Sequence, residues 1–263
     1  MTSPADNASP ELVHLDVADG VGTITLDSPA NRNALSAQLR RELLAHLGAA
    51  LADDAVRVIV LTHTGRVFCA GMDLKESRGA GAQGQGVNEV PAILERIWTA
   101  PKPVVARLSG PARAGGVGLV AACDIAVAAE DATFAFSEVR IGVVPAVISV
   151  TVLPRLLPRA AHELFLTGET FDARRAAAIG LINSAVPVDG LDAEIDRYVS
   201  ALRLGAPGAL AGTKEMLRRE RPATMAEDFA RMQELSAGYF AGEEGQEGIR
   251  AFAEKRPPSW VGG

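Results

Sequence analysis

Phe68-Cys69-Ala70-Gly71-Met72-Asp73-Leu74 and, farther along, Ser109-Gly110-Pro111-Ala112-Arg113-Ala114-Gly115-Gly116-Val117-Gly118 decide how the rest of the chain is read. Each stretch follows an apolar run that reads as a strand, residues 56–61 (VRVIVL) and 103–108 (PVVARL). Each places glycine where a chain turns sharply or brings its backbone close to something else. Two such turns, each opening a helix, aim free backbone N–H groups at one point. That is an oxyanion hole in outline.

Working outward, the two runs are apolar at nearly every position, as in strands buried on both faces of a parallel sheet. Upstream, residues 13–17 and 21–26 alternate around Ala18-Asp19-Gly20, a β-hairpin signal. Asn31-Arg32-Asn33-Ala34-Leu35 follows, then Ser36 as N-cap of a helix with Leu39, Leu43, Leu44, Leu47 and Leu51 at helical spacing, ended by Asp53-Asp54. Downstream, residues 90–98 predict a helix, 124–128 a third buried strand and 133–136 a fourth. This alternation predicts an α/β fold with a mostly parallel sheet. Past Pro145 the chain turns helical, over 147–157, 160–166 and 173–179, with Pro154 and Pro158 as breaks. A short strand at 181–186 precedes helices at 191–204, 207–219, 224–240 and 243–255. The glycine-rich stretch 79–86 reads as a flexible connection or as the wall or lid of a pocket.

Composition narrows the function classes. The chain has 263 residues, 48% hydrophobic and 22% charged, with net charge −6, so nothing asks for nucleic acid or an anionic membrane surface. Cys69 and Cys123 form no framework and have no metal-ligand spacing, and His14, His46, His63 and His162 are scattered, so no metal is expected. No apolar run approaches the roughly 18 residues of a membrane span. The polar first ten residues read as a disordered tail rather than a signal peptide, and the expected location is the cytoplasm.

FCAGMDL resembles the FxxGxDL stretch of the enoyl-CoA hydratase/isomerase (crotonase) superfamily, GPARAGGVGLVAACDI its second signature and FSEVRIGVVP its third, in family order from about residue 11 to the C-terminus. The resemblance implies a crotonase-like ββα spiral core over residues 11–190, after a tail at 1–10, with a helical C-terminal trimerisation region over 191–263. It implies a homotrimer or homohexamer acting on an acyl-CoA thioester, as in fatty acid metabolism, with coenzyme A present only as part of the substrate and no other cofactor.

The resemblance also assigns residues. Met72 and Gly115 supply the two backbone N–H groups of the oxyanion hole. In the hydratases a glutamate stands three residues after the second donor; here that position is Gly118, at the substrate but without a carboxylate. The glutamate of the third signature is kept as Glu138, flanked by Phe136 and Val139, where an apolar setting raises a carboxyl pKa and suits it to proton transfer. Asn31-Arg32-Asn33-Ala34-Leu35 is similar to the family's N-x-N-A-L, which places Arg32 and Ala34 at coenzyme A, with Arg32 either meeting a phosphate or solvated ahead of a helix. Ala70 falls where family backbone groups bracket the adenine. Asp73 stands beside the oxyanion position, where it orders the turn or caps a helix. Lys255, in FAEKRPPSW, belongs to an element that completes a site on a neighbouring subunit. The leading function is hydration of a 2-enoyl-CoA, with wording closest to the 3-methylglutaconyl-CoA hydratase type. Double-bond isomerisation by a single glutamate and a non-catalytic acyl-CoA-binding relative are the alternatives.

Overall fold

The computed structural model describes residues 10–76, 89–220 and 224–261. The N-terminal tail up to residue 9 and the glycine-rich stretch 79–86 lie outside the described residues. The hairpin pairs β1 (Val13–Ala18) with β2 (Val21–Leu26) antiparallel, Val13 opposite Leu26 and Ala18 opposite Val21. Asp19 and Gly20 turn it at φ 49° and 75°, the left-handed pair that matches strand twist. Gly22, Ile24 and Leu26 face inward, as the alternation requires. Helix α1 (Ala37–Ala52) starts where Ser36 Oγ accepts the Leu39 N–H and stops at Asp53.

The next strand, β3 (Val58–His63), pairs parallel with β2. It starts two residues later than the apolar run, because the Val56 N–H bonds Asp53 O and the Arg57 N–H bonds Gly20 O, turning the chain into the sheet. Then come α2 (Glu89–Thr99), β4 (Val104–Leu108), β5 (Ala112–Arg113), α3 (Gly115–Ala122), β6 (Ile125–Ala129) and β7 (Thr133–Ala135). The second half holds α4 (Ala146–Val152), α5 (Pro158–Thr167), β8 (Phe171–Asp172), α6 (Ala173–Ala178), β9 (Ser184–Val186), α7 (Leu191–Arg203), α8 (Pro207–Arg218), α9 (Met225–Ala241) and α10 (Glu243–Glu254). Helix α4 ends at Val152 rather than at 157, since Pro154 removes an N–H two residues later.

The main sheet has the order β1-β2-β3-β4-β6-β9 and is parallel outside the hairpin. The fourth predicted strand, β7, leaves it to join a small sheet, β5-β7-β8. Alternation along β3 explains its apolar sequence. Ile59 and Leu61 enter the core beneath α1, α2 and α3, while Val58 and Val60 pack on the other face against Leu191, Ile195 and Val199 of α7. Each such side chain, fully buried, contributes about 1.5–3 kcal/mol.

The helical end of the chain is pinned at its root. Lys214 Nζ donates to Asp124 Oδ2 at 2.5 Å and to Lys102 O at 2.9 Å. Arg57 donates to Gly205 O and Trp260 O. Helices α9 and α10 pack on each other, and Phe229, Phe240 and Phe252 along them are exposed. Among the described residues no helix is long and apolar enough to cross a membrane.

Candidate active site

Three loops are laid side by side at the exit of β2, β3 and β4. The Phe68 N–H bonds Pro111 O at 3.0 Å and the Arg113 N–H bonds Cys69 O at 2.9 Å, so the two glycine stretches run parallel and bridge at Cys69 and Ala112. The Leu35 N–H bonds Gly71 O at 2.8 Å and the Ala70 N–H bonds Arg32 O at 3.1 Å, which brings the Asn31–Leu35 loop alongside. Asn33, fully buried at φ 51°, stitches these loops together: its Oδ1 accepts the Ser28 N–H, and its Nδ2 donates to Thr64 O and Val67 O.

Gly71 adopts φ 88°, a conformation costly for any side-chain-bearing residue. A Cβ there would meet Ala114 Cβ at 3.0 Å and Arg113 O at 3.1 Å, so the two turns touch backbone to backbone. Ala114 itself sits at φ 45° and ψ −118°, a strained conformation held by its N–H bond to Ala135 O. That twist starts α3 at Gly115. A Cβ built on Gly115 would lie 4.0 Å from Met72 N. Neither the Met72 nor the Gly115 N–H bonds an acceptor in the described residues. Two neighbouring donors, one at a helix N-terminus, are of the kind that can stabilise developing negative charge.

The small sheet sets the direction in which Glu138 leaves the core. Strands β5 and β7 are parallel, with Arg113 beside Ala135, so Gly115 and Glu138 leave the ribbon at the same end. Glu138 lies in a 3-10 turn, Ser137–Ile141, closed by Gly142 at φ 74°. Its Oε2 is buried and has no hydrogen-bond partner among the described residues. Burial pushes its carboxyl above the usual carboxylate range. Around it the turn presents Val139, Ile141, Val143 and Val144 to the surface.

The enoyl-CoA hydratase/isomerase family model matches residues 16–263. The chain belongs to that family. It is 44% identical to an enoyl-CoA hydratase from Mycobacterium avium of known crystal structure, covering 96% of this chain and 100% of that one, with a TM-score of 0.73. An enoyl-CoA hydratase of Mycobacterium smegmatis superimposes with a TM-score of 0.88 at 34% identity, over 95% of this chain and 98% of that one. The 2,3-dehydroadipyl-CoA hydratase of Escherichia coli is 31% identical over 240 residues, 91% of this chain and 94% of that protein.

Within this family member, the loops bring Arg32, Ala34, Ala70, Met72, Asp73 and Gly115 together. Arg32 is exposed, in a left-handed turn at φ 53° directly beside Ala70, while Ala34 is buried. Asp73 holds the turn. Its Oδ1 accepts the Lys75 and Glu76 N–H groups and its Oδ2 accepts from Asn31 Nδ2 at 2.7 Å. Burial alone would raise its pKa, but those donors outweigh it and keep the carboxyl below its usual value. At Gly118, α4 and α2 come close: a Cβ on it would lie 2.8 Å from Ile148 Cγ2 and 3.4 Å from Leu94 Cδ1. Lys255 is not brought to the glycine turns. It ends α10 exposed, and the Trp260 that follows is anchored on Leu204 O and Arg57, ahead of β3 rather than beyond it. Cys69 lies inside the motif, yet burial pushes its thiol up to about 12, so it is inert.

Three further residues, Asn33, His63 and Ile148, tie these segments together. Asn33 carries a signal, an asparagine between two apolar segments where a left-handed turn is needed. His63 is buried, its Nε2 accepting the Ser109 N–H at 3.1 Å, with its ring edge-on to Phe68. Desolvation lowers its pKa, so it is held neutral. Neither His63 nor Ile148 has a local sequence signal, because both contacts join segments far apart in the chain.

Proposed function

We propose that this protein is an enoyl-CoA hydratase, adding water reversibly across the double bond of a 2-enoyl-CoA thioester. What supports the proposal is that two N–H groups, Met72 and Gly115, have no acceptor among the described residues, and that the parallel β5–β7 ribbon leads toward the same end Glu138, whose buried Oε2 has no partner among those residues. Glu138 takes a proton from water as the water oxygen bonds C3. The π pair moves through C2 to the thioester oxygen, which the two N–H groups stabilise. The enolate then collapses, and C2 takes the proton back from Glu138. A carboxyl with a raised pKa is the better base for the first step and is restored by the second.

Arg32, exposed beside Ala70 and unpaired in the described residues, is suited to a phosphate of coenzyme A. Coenzyme A is part of the substrate, and the chemistry uses no further cofactor. The exposed phenylalanines of α9 and α10 support burial of these helices against further copies, as a homotrimer or homohexamer in which Lys255 reaches a neighbour's site. A cytoplasmic place in fatty acid metabolism fits the acidic, cysteine-poor chain. The assay uses crotonyl-CoA and a 3-enoyl-CoA in parallel. Loss of conjugated-thioester absorbance from the first is the expected result. Gain of that absorbance from the second, with none lost from the first, would assign isomerisation instead.

A further inference from the structure

Helix α4 rests on α3 at Gly118, three residues beyond the oxyanion donor Gly115 and therefore on the same side of the helix. A Cβ on Gly118 would lie 2.8 Å from Ile148 Cγ2, 3.3 Å from Ile148 Cβ and 3.4 Å from Leu94 Cδ1. Carbon atoms prefer about 3.5–4.0 Å, so no side chain fits while Ile148 is in place. The close approach is fixed from two sides. Thr151 Oγ1 donates to Gly118 O at 3.3 Å, and Ile148 and Val152 are almost fully buried in the shared core. The space a side chain at 118 would use is thus occupied by an aliphatic group from the helix that follows the Glu138 turn.

We propose that Ile148 is a specificity-determining residue: seated on the bare helix at Gly118, it bars a second proton-carrying group from that side of the site and walls the reacting carbons with hydrocarbon. Glu138 then handles the proton alone, and the substrate class is a 2-enoyl-CoA whose carbons near the thioester are apolar. The pair works as one unit. A carboxylate at 118 requires a small residue at 148, and isoleucine at 148 requires glycine at 118. This inference rests on the hydratase reading.

The test is a double-mutant cycle on the full-length protein, read by thermal unfolding and by crotonyl-CoA hydration. Gly118→Glu alone should lower Tm and cut turnover at least about tenfold, the loss of positioning expected from forcing two packed helices apart. Adding Ile148→Gly should restore both, raising turnover about tenfold or more over the single variant, and should add a second ionisation to the pH–rate profile. Ile148→Ala alone should change the kcat/KM ratio of 3-methylcrotonyl-CoA to crotonyl-CoA about tenfold or more, the scale of a lost hydrophobic contact in a pocket. A Gly118→Glu protein with wild-type Tm and turnover would overturn the proposal. So would a double variant that regains neither property or stability alone, or an unchanged substrate ratio in Ile148→Ala. If the wild-type protein hydrates neither thioester, the hydratase reading fails. The Tm coupling between positions 118 and 148 distinguishes that failure from a failure of the packing.

Discussion

Gly71→Ala separates the oxyanion geometry from ordinary stability. At φ 88° an alanine is strained, and its Cβ would meet Ala114 Cβ at 3.0 Å and Arg113 O at 3.1 Å. The conformational part costs about 1–2 kcal/mol, and overpacking adds about 1–3 kcal/mol. Together they destabilise by about 2–5 kcal/mol if the turn keeps its shape. Relaxation instead moves Met72 N away from Gly115, and one lost donor lowers kcat by about 10²–10³-fold. Gly65→Ala is the control. Gly65 also has a positive φ, 72°, and its Cβ would strike Pro29 Cβ at 2.6 Å, but it does not touch the Met72–Gly115 pair. Urea unfolding gives the stability change for each variant, and crotonyl-CoA kinetics with thioester-binding calorimetry give kcat and affinity. Both variants should lose stability, and Gly71→Ala alone should lose kcat with binding largely kept. A folded Gly71→Ala protein with wild-type kcat would refute the reasoning.

Glu138→Gln should lower turnover by about 10²–10⁴-fold while CoA-thioester affinity, read by calorimetry, stays close to wild type. Because the folded pKa of Glu138 is raised, the ionised carboxylate opposes folding above that pKa, and the opposition vanishes below the unfolded value near 4.5. The same substitution should therefore raise Tm at pH 7 and leave it unchanged near pH 4, a comparison scanning calorimetry makes directly. His63 runs the other way. Its folded pKa is depressed from 6.5 by burial, so its contribution is complete above 6.5 and is lost as pH falls toward the folded value. Urea midpoints should drop between pH 7.5 and 5 more steeply in wild type than in His63→Gln. Lys214→Ala leaves Asp124 with the Val104 N–H but without its cation, and should destabilise by about 1–3 kcal/mol in chemical denaturation, less than a fully buried pair because Asp124 is partly exposed.

The main sheet was legible because burial on both faces writes itself into composition: VRVIVL and PVVARL have no polar face to hide. The hairpin, the Ser36 cap and the C-terminal helices follow from equally local rules, and they stand within a few residues of where periodicity puts them. The small sheet was not legible as a unit. Strands β5 and β8 are two residues each, too short for any alternation, and exist because Arg113 bonds across to Thr133 and Phe171 stacks on Phe134. At the site, the glycine turns could be read from the local sequence, while Glu138 was singled out by the family resemblance. The cover over Gly118 could not, since nothing local in Ala146–Val152 reports which helix Ile148 will meet. Asp73 shows the limit from the other side: its place beside Met72 suggests chemistry, while its hydrogen bonds with Asn31, Lys75 and Glu76 hold the loops.

The most direct test of the central claim is product analysis after incubating the wild-type protein with crotonyl-CoA in ¹⁸O-labelled heavy water. The account predicts 3-hydroxybutyryl-CoA carrying ¹⁸O on C3 and deuterium on C2, formed at a rate that falls by the stated order in Glu138→Gln. Recovery of unlabelled crotonyl-CoA from a protein that binds the thioester would contradict it.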